Sequence, residues 1–149
     1  MTSTEQEIWA AVNRFYAGVN QALDGGDVDA VRRAWSHGPE AAAMHPGGGR
    51  HLGWNEVDQA WSTWADVVEG GHIAPASLAV RLVTPDVAVV TGEELGAGTI
   101  AGERVEIDAR VTLVLRREGR EWRAVHHHVD VVPALREIVA RLAHAAVPG

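Results

Sequence analysis

The sequence contains no cysteine, which removes a disulfide framework, a thiolate nucleophile and a cysteine zinc site together. No apolar run approaches the roughly 18 residues of a membrane span, so the chain is not expected to cross a bilayer. The opening Met1-Thr2-Ser3-Thr4-Glu5-Gln6-Glu7 lacks the basic segment and apolar stretch of a secretory signal, and a cytoplasmic home is the expectation. Positive charge is scarce: 13 basic against 20 acidic residues leave a formal charge of −7. Arg32-Arg33 and Arg116-Arg117 are isolated pairs, not a patch. Phosphate binding needs a positive field, so no nucleic-acid partner is expected. Phenylalanine and tyrosine occur once each.

What is present reads as one globular domain over residues 1–149. The composition is 46% hydrophobic and 22% charged, ordinary for a packed core and unlike a disordered chain. Tryptophan supplies six of the eight aromatics; its large apolar body and single N–H donor suit pocket walls as well as cores. Ser3-x-x-Gln6 and Thr4-x-x-Glu7 each offer a capping box. Ile8, Val12, Phe15, Val19 and Leu23 follow at helical spacing, and Gly25-Gly26 closes that helix. Asp27 caps a second, shorter helix with Val28, Val31 and Trp35 inward. A short strand is expected over Glu40–His45, with Pro46-Gly47-Gly48-Gly49 as a flexible rim loop. No Gly-Lys-Ser/Thr follows those glycines, so they are not a phosphate loop. A third helix after Gly53-Trp54-Asn55 carries Val57, Trp61, Trp64 and Val68 on one face and stops at Gly70-Gly71.

The second half is sheet. Strands are expected over His72–Val83, Val87–Leu95, Val105–Arg116 and Glu121–Val132. In the third, Val105, Ile107, Ala109, Val111, Leu113 and Leu115 alternate with Glu106, Asp108, Arg110, Thr112 and Val114. Pro133 starts a C-terminal helix with Leu135, Ile138 and Leu142 in register. Helices first and long strands after give an α+β class, without the alternation of a βαβ fold.

Helix, short helix ending in Trp, small-residue strand, Gly-Trp before a Trp-rich helix, then long strands resembles the nuclear transport factor 2-like superfamily. Within it the SnoaL-like domains match best, and these are similar to the association domain of calcium/calmodulin-dependent kinase. The specific part is Arg110-Val111-Thr112, Arg116-Arg117-Glu118-Gly119 and Trp122-Arg123-Ala124-Val125-His126-His127-His128. Asp130 stands where many relatives carry Ser. The resemblance implies a cone of curved antiparallel sheet around a central pocket, covered by N-terminal helices. It implies no single chemistry: members include cyclases, isomerases, epoxide hydrolases, dehydratases and assembly domains.

The residues that suggest chemistry sit on the last two strands. Neighbours on a strand face opposite ways, so His126 and His128 share one face and His127 takes the other. A histidine pair could hold zinc only if His45 or Asp108 converged on it; no metal or other cofactor is expected. Asp108-x-Arg110 puts a carboxylate and a guanidinium on one face, beside His126-x-His128-x-Asp130. If Arg117-Glu118-Gly119 is a three-residue bulged loop, Arg110 lies opposite His126 and Asp108 opposite His128. A Glu118-Gly119 loop would place His127 opposite Arg110 instead. Inside an apolar cone, Asp108 or a histidine would titrate towards neutrality and move a proton on a bound organic molecule, with Arg110 holding an anionic group or an enolate oxygen. The expected catalytic set is therefore Asp108, Arg110, His126, His128 and Asp130. Epoxide-hydrolase relatives imply an Asp-Arg-Asp water relay, for which Asp108, Arg110 and Asp130 offer the same residue types in a different order.

Expected ligand contacts are Tyr16, Trp35, Met44, His45, Trp61, Trp64, Glu93, Thr112 and His127. Two functions stay open: a cofactor-independent acid–base enzyme (isomerase, cyclase or hydrolase) on a small apolar or anionic organic molecule, and a non-catalytic ligand-binding or assembly domain. The strands are apolar on both faces, so a homodimer formed sheet against sheet is expected.

Overall fold

The structure, a computed structural model, describes residues 1–146. Helix α1 (Ser3–Gly25) starts at Thr2, whose hydroxyl accepts from the Glu5 N–H while the Glu5 carboxylate accepts from the Thr2 N–H. The capping box thus sits earlier than either expected frame. Gly26 ends the helix in the left-handed region, where glycine pays no Cβ penalty. Helix α2 (Asp29–Ala34) follows. Strands β1 (Ala42–His45) and β2 (Gly48–Leu52) form a small hairpin, so the glycine run is partly strand and not a free loop. Helix α3 (Trp54–Val67) stops three residues before Gly70, and those glycines lie inside the next strand.

The long strands are β3 (Val68–Thr84), β4 (Val87–Ile100), β5 (Glu103–Glu118) and β6 (Glu121–Val129). Helix α4 (Pro133–Ala146) ends the described chain. The six strands make one sheet in the order β2-β1-β6-β5-β4-β3, antiparallel except for β1 beside β6. This is the expected α+β cone: a curved sheet with helices across its inner face. Among the described residues no helix is long and apolar enough to cross a membrane.

The ladders shift register at several places, and two of these shifts bear most on which residues face in. In β3 the register shifts between Ala76 and Ala79, and Ser77 takes a left-handed φ of 53°. In β6, Ala124 pairs with Leu115 but His126 pairs with Val114, leaving Val125 unpaired. An extra residue twists a strand and reverses its in–out alternation beyond that point. Before the β6 bulge Trp122 and Ala124 are buried; after it His127 and Val129 are.

The core lies between the inner sheet face and the helices. Ile8, Val12, Phe15 and Val19 of α1 pack with Val31, Trp35, Val57 and Trp61 against Ala88, Val90 and the odd-numbered residues from Val105 to Leu115. Leu135 and Ile138 of α4 join that same core. Val139 and the Trp64 ring crowd Gly47 so closely that a Cβ there would collide. Helix α4 therefore closes the inner side rather than folding back over the outer sheet face. That outer face keeps Val89, Thr91, Thr112, Val114, His126 and His128 in adjacent registers, mostly half-buried and, among the described residues, without a covering helix.

Candidate active site

Beneath α1 and α3 the sheet lines a partly open apolar cavity with about 80 Å3 of free volume, room for several waters. Val19, Leu23, Ile73, Val105, Ile107 and Leu135 make most of its hydrocarbon wall, and Trp61 and Trp64 flank it. Its polar lining is sparse: His45, Glu94 and His127, with Thr99. Among the described residues no arginine lines it, and the sequence contains no lysine.

Each polar group is placed by its strand. Glu94 continues the inward series Ala88, Val90, Gly92 of β4, and Ala109 stands opposite it on β5. His127 is turned inward by the β6 bulge and registers with Leu113 and Ala43. His45 follows Ala43 on the buried side of β1. Glu94 Oε2 accepts two hydrogen bonds, one from the Tyr16 hydroxyl at 2.8 Å and one from His127 Nε2 at 2.8 Å. The His127 and Glu94 side chains are only 3% and 5% exposed. A carboxylate can only accept, so this bond fixes a proton on Nε2. Nδ1 is buried and has no partner, as are His45 Nε2 and Trp61 Nε1.

The electrostatics follow from this packing. Burial opposes the charge on Glu94, but His127 and the hydrogen bonds from His127 and Tyr16 outweigh it and hold the carboxyl below its ordinary range. Burial, with Glu94 alongside, pushes the Tyr16 hydroxyl up, so it stays a donor. His45 is lowered to about 3 by burial and by the nearby His127 and His51, and is a neutral imidazole at ordinary pH. Phe15 meets the His127 ring edge-on at 4.9 Å, and Trp61 lies nearly parallel to it at 6.4 Å between centroids.

The structure redistributes the residues singled out in sequence. Tyr16, His45, Trp61, Trp64 and His127 gather at or beside the cavity. Arg110 does not: its side chain is 85% exposed on the outer face and forms an ion pair with Asp130, with Nε–Oδ2 at 2.7 Å. Neither expected hairpin register occurs. The loop is the two-residue Gly119-Arg120, with φ of 63° at Gly119, and the added bulge brings Asp130 rather than a histidine alongside Arg110. Asp108 and Glu93 are exposed, opposite Leu95 and Arg110 respectively. His126, His128, Thr112 and Met44 lie together on the outer face. Trp35 is fully buried against Phe15, away from the cavity. Among the described residues no cluster of three or more His, Asp or Glu side chains is arranged to hold a metal.

Glu94 is the cavity-lining acidic residue that the sequence reading missed. The Thr91-x-Glu93 series pointed to its neighbour, whereas Ala88-x-Val90 sets the buried parity and puts position 94 inside.

Residues 12–134 match the sequence profile of the SnoaL-like domain. No curated protein matches the chain. Among solved structures, a nuclear transport factor 2-like superfamily protein from Salmonella enterica serovar Typhimurium is 21% identical, with a TM-score of 0.75 over 88% of this chain and 93% of that one. A candidate dehydratase of the same family from Streptomyces avermitilis is 20% identical, with a TM-score of 0.73 over 86% and 95%. A hexachlorocyclohexane dehydrochlorinase is 17% identical, with a TM-score of 0.70 over 84% and 85%. At these identities the likeness is one of fold. The matched span covers most of the chain, and the fold is shared with the nuclear transport factor 2-like structures: this protein belongs to the SnoaL-like domain family.

Proposed function

We propose that this protein is a cofactor-independent acid–base enzyme, an isomerase, cyclase or hydrolase acting on a small apolar organic molecule, with His127 as its proton carrier. The observation that carries the reading is the buried Tyr16–Glu94–His127 chain beside an apolar cavity. A buried carboxylate costs stability unless it is paired, so its retention in this wall asks for a purpose. Glu94 orients the imidazole and stabilises the imidazolium that forms when Nδ1 takes a proton; Tyr16 fixes the carboxylate. The water-poor wall strengthens each of these interactions. Two solved structures of this fold carry the names of elimination enzymes, a candidate dehydratase and a dehydrochlorinase. The cysteine-free sequence supports a cytoplasmic setting.

The test is exchange of carbon-bound hydrogen for deuterium in D2O, followed by NMR across a panel of apolar ketones, esters and halocarbons. His127→Gln and Glu94→Gln are expected to lower the rate of any accelerated exchange by about 100-fold or more while folding is kept. Ligands that bind in the cavity without acceleration of any C–H exchange or turnover would instead support a binding domain.

We further propose that two copies associate through the outer sheet face. The uncovered Val89, Val114 and half-buried His126 support it, since soluble monomers rarely leave such a face open.

A further inference from the structure

Two histidines have no part in the acid–base reading, and both lie on the sheet face opposite the cavity. His126 and His128 project from β6 two residues apart, with ring centroids separated by 6.0 Å and ring planes at 89°. Val114 and Ala42 stand beside His126 in register, and Thr112 and Met44 stand beside His128. The pair is thus set among apolar and neutral side chains. Asp130, two residues on, is held by three hydrogen bonds from Arg110. Among the described residues neither ring has a hydrogen-bond partner.

The chemistry of such a pair is that of a ligand set. Burial, with His128 and His127 nearby, holds the His126 imidazole below its ordinary range, so near neutral pH it is uncharged and carries an open lone pair. Two imidazoles on one first-row ion, each nitrogen about 2.0–2.1 Å from the metal, have their centres roughly 5–6 Å apart. The 6.0 Å of this pair falls at the top of that span. Neutral nitrogen donors without a free carboxylate or thiolate suit zinc, copper or nickel rather than calcium or magnesium. One chain supplies two ligands, whereas a closed tetrahedral site takes four. His45 lies on the inner side and Asp108 stands opposite Leu95, so neither completes the set.

The sheet order points to the source of the other two ligands. Strands β6 and β5 are the third and fourth of six, so an association centred on the outer face has them at its middle. In a two-fold interface the residues at the axis meet their own copies. Face-packed sheets stand about 10 Å apart, within reach of two histidine side chains that meet at one ion. Two chains that each carry a formal charge of −7 also repel one another, and a dication on the axis offsets part of that repulsion.

We infer that His126 and His128 are half of a metal site, in which a divalent transition ion of the zinc class is held by this pair and by the same pair of a second copy. The inference rests on the outer-face association proposed above, and it makes the strength of that association depend on the ion. The four imidazoles bind through lone pairs alone, so no proton or electron changes hands.

The test is sedimentation of the full chain over a dilution series, in EDTA and with zinc chloride, alongside calorimetric titration with zinc. One zinc per two chains is expected, with the dimer dissociation constant lowered about tenfold or more. His126→Gln and His128→Gln should each remove both effects, whereas His72→Gln, at an exposed histidine of β3, should keep them. Magnesium chloride should do nothing. No zinc uptake, one zinc per chain with an unchanged dissociation constant, or effects that survive both substitutions overturn the inference; a dimer that persists in EDTA then leaves the association itself standing. A chain that stays monomeric with and without zinc overturns both. If the variants fail to fold, cobalt(II) on the wild-type protein decides. Intense visible absorption marks four-coordinate nitrogen ligation and supports the site, and the faint bands of a hydrated six-coordinate ion refute it.

Discussion

Acid should destabilise this protein through His45 in a measurable and removable way. The folded-state pKa is about 3 against an ordinary 6.5, because the ring is buried beside two other histidines. The unfolded chain therefore binds a proton below about pH 6.5 that the folded chain refuses until near pH 3. A depressed histidine works in this direction: its contribution is intact above the unfolded value and is lost as pH falls through the window between the two. At about pH 4.5 the linkage amounts to roughly 2.7 kcal/mol relative to neutral pH. With a urea m-value of about 1–3 kcal/mol per M, that is a midpoint shift of about 1 M or more. The assay is urea unfolding at about pH 7 and about pH 4.5, at one protein concentration, for the wild type and for His45→Phe. Other acid-sensitive groups, including Glu94, act in both proteins and largely cancel. The variant is expected to lose about 2–3 kcal/mol less than the wild type over this range. Parallel losses in the two proteins would refute the buried, neutral His45.

Three further outcomes follow from the packing. Gly96→Ala should cost more than about 2 kcal/mol, because a Cβ at that position drives into the His72 carbonyl of the neighbouring strand. Gly25→Ala, with open space around it, should be neutral within about 1 kcal/mol; thermal melts compare the two. Arg110→Ala should leave the melting temperature close to that of the wild type, since the exposed Arg110–Asp130 pair faces away from the cavity. Light scattering at micromolar concentration should give twice the 16.0 kDa chain mass, and Val114→Glu on the outer face should return it to the monomer value; a wild-type mass near 16.0 kDa would defeat the sheet-to-sheet dimer.

Much of the architecture was legible in the residues. The α1 stripe of Ile8, Val12, Phe15 and Val19 and the unbroken alternation of β5 from Val105 to Leu115 are periodic signals that tertiary contacts reinforce. The site was less legible, and the reason is parity. Sequence spacing predicts a strand's faces only while its ladder is regular, and β6 breaks that rule at Val125. The unpaired residue moved His126 and His128 outward and His127 inward. The hairpin loop compounded the error: Gly119 takes the positive φ at the loop's first position rather than its last, which displaces the whole register. Glu94 escaped notice because a carboxylate on an apolar face looks like an exception, and its partners Tyr16 and His127 are 78 and 33 residues away in sequence.

The three consecutive histidines make the bulge forgiving. Were Val125 to join the ladder, the buried series Trp122, Ala124 would continue to 126 and 128 instead of 127. Either arrangement presents an imidazole to the cavity. A sequence with one histidine in this stretch would lose its inward imidazole to a single slip of pairing, whereas this one keeps an imidazole facing inward while the strand is free to gain or shed a kink. Insertions and deletions near position 125 are thus buffered at the cavity, and their effects should surface on the opposite side of the sheet, where the displaced rings change places.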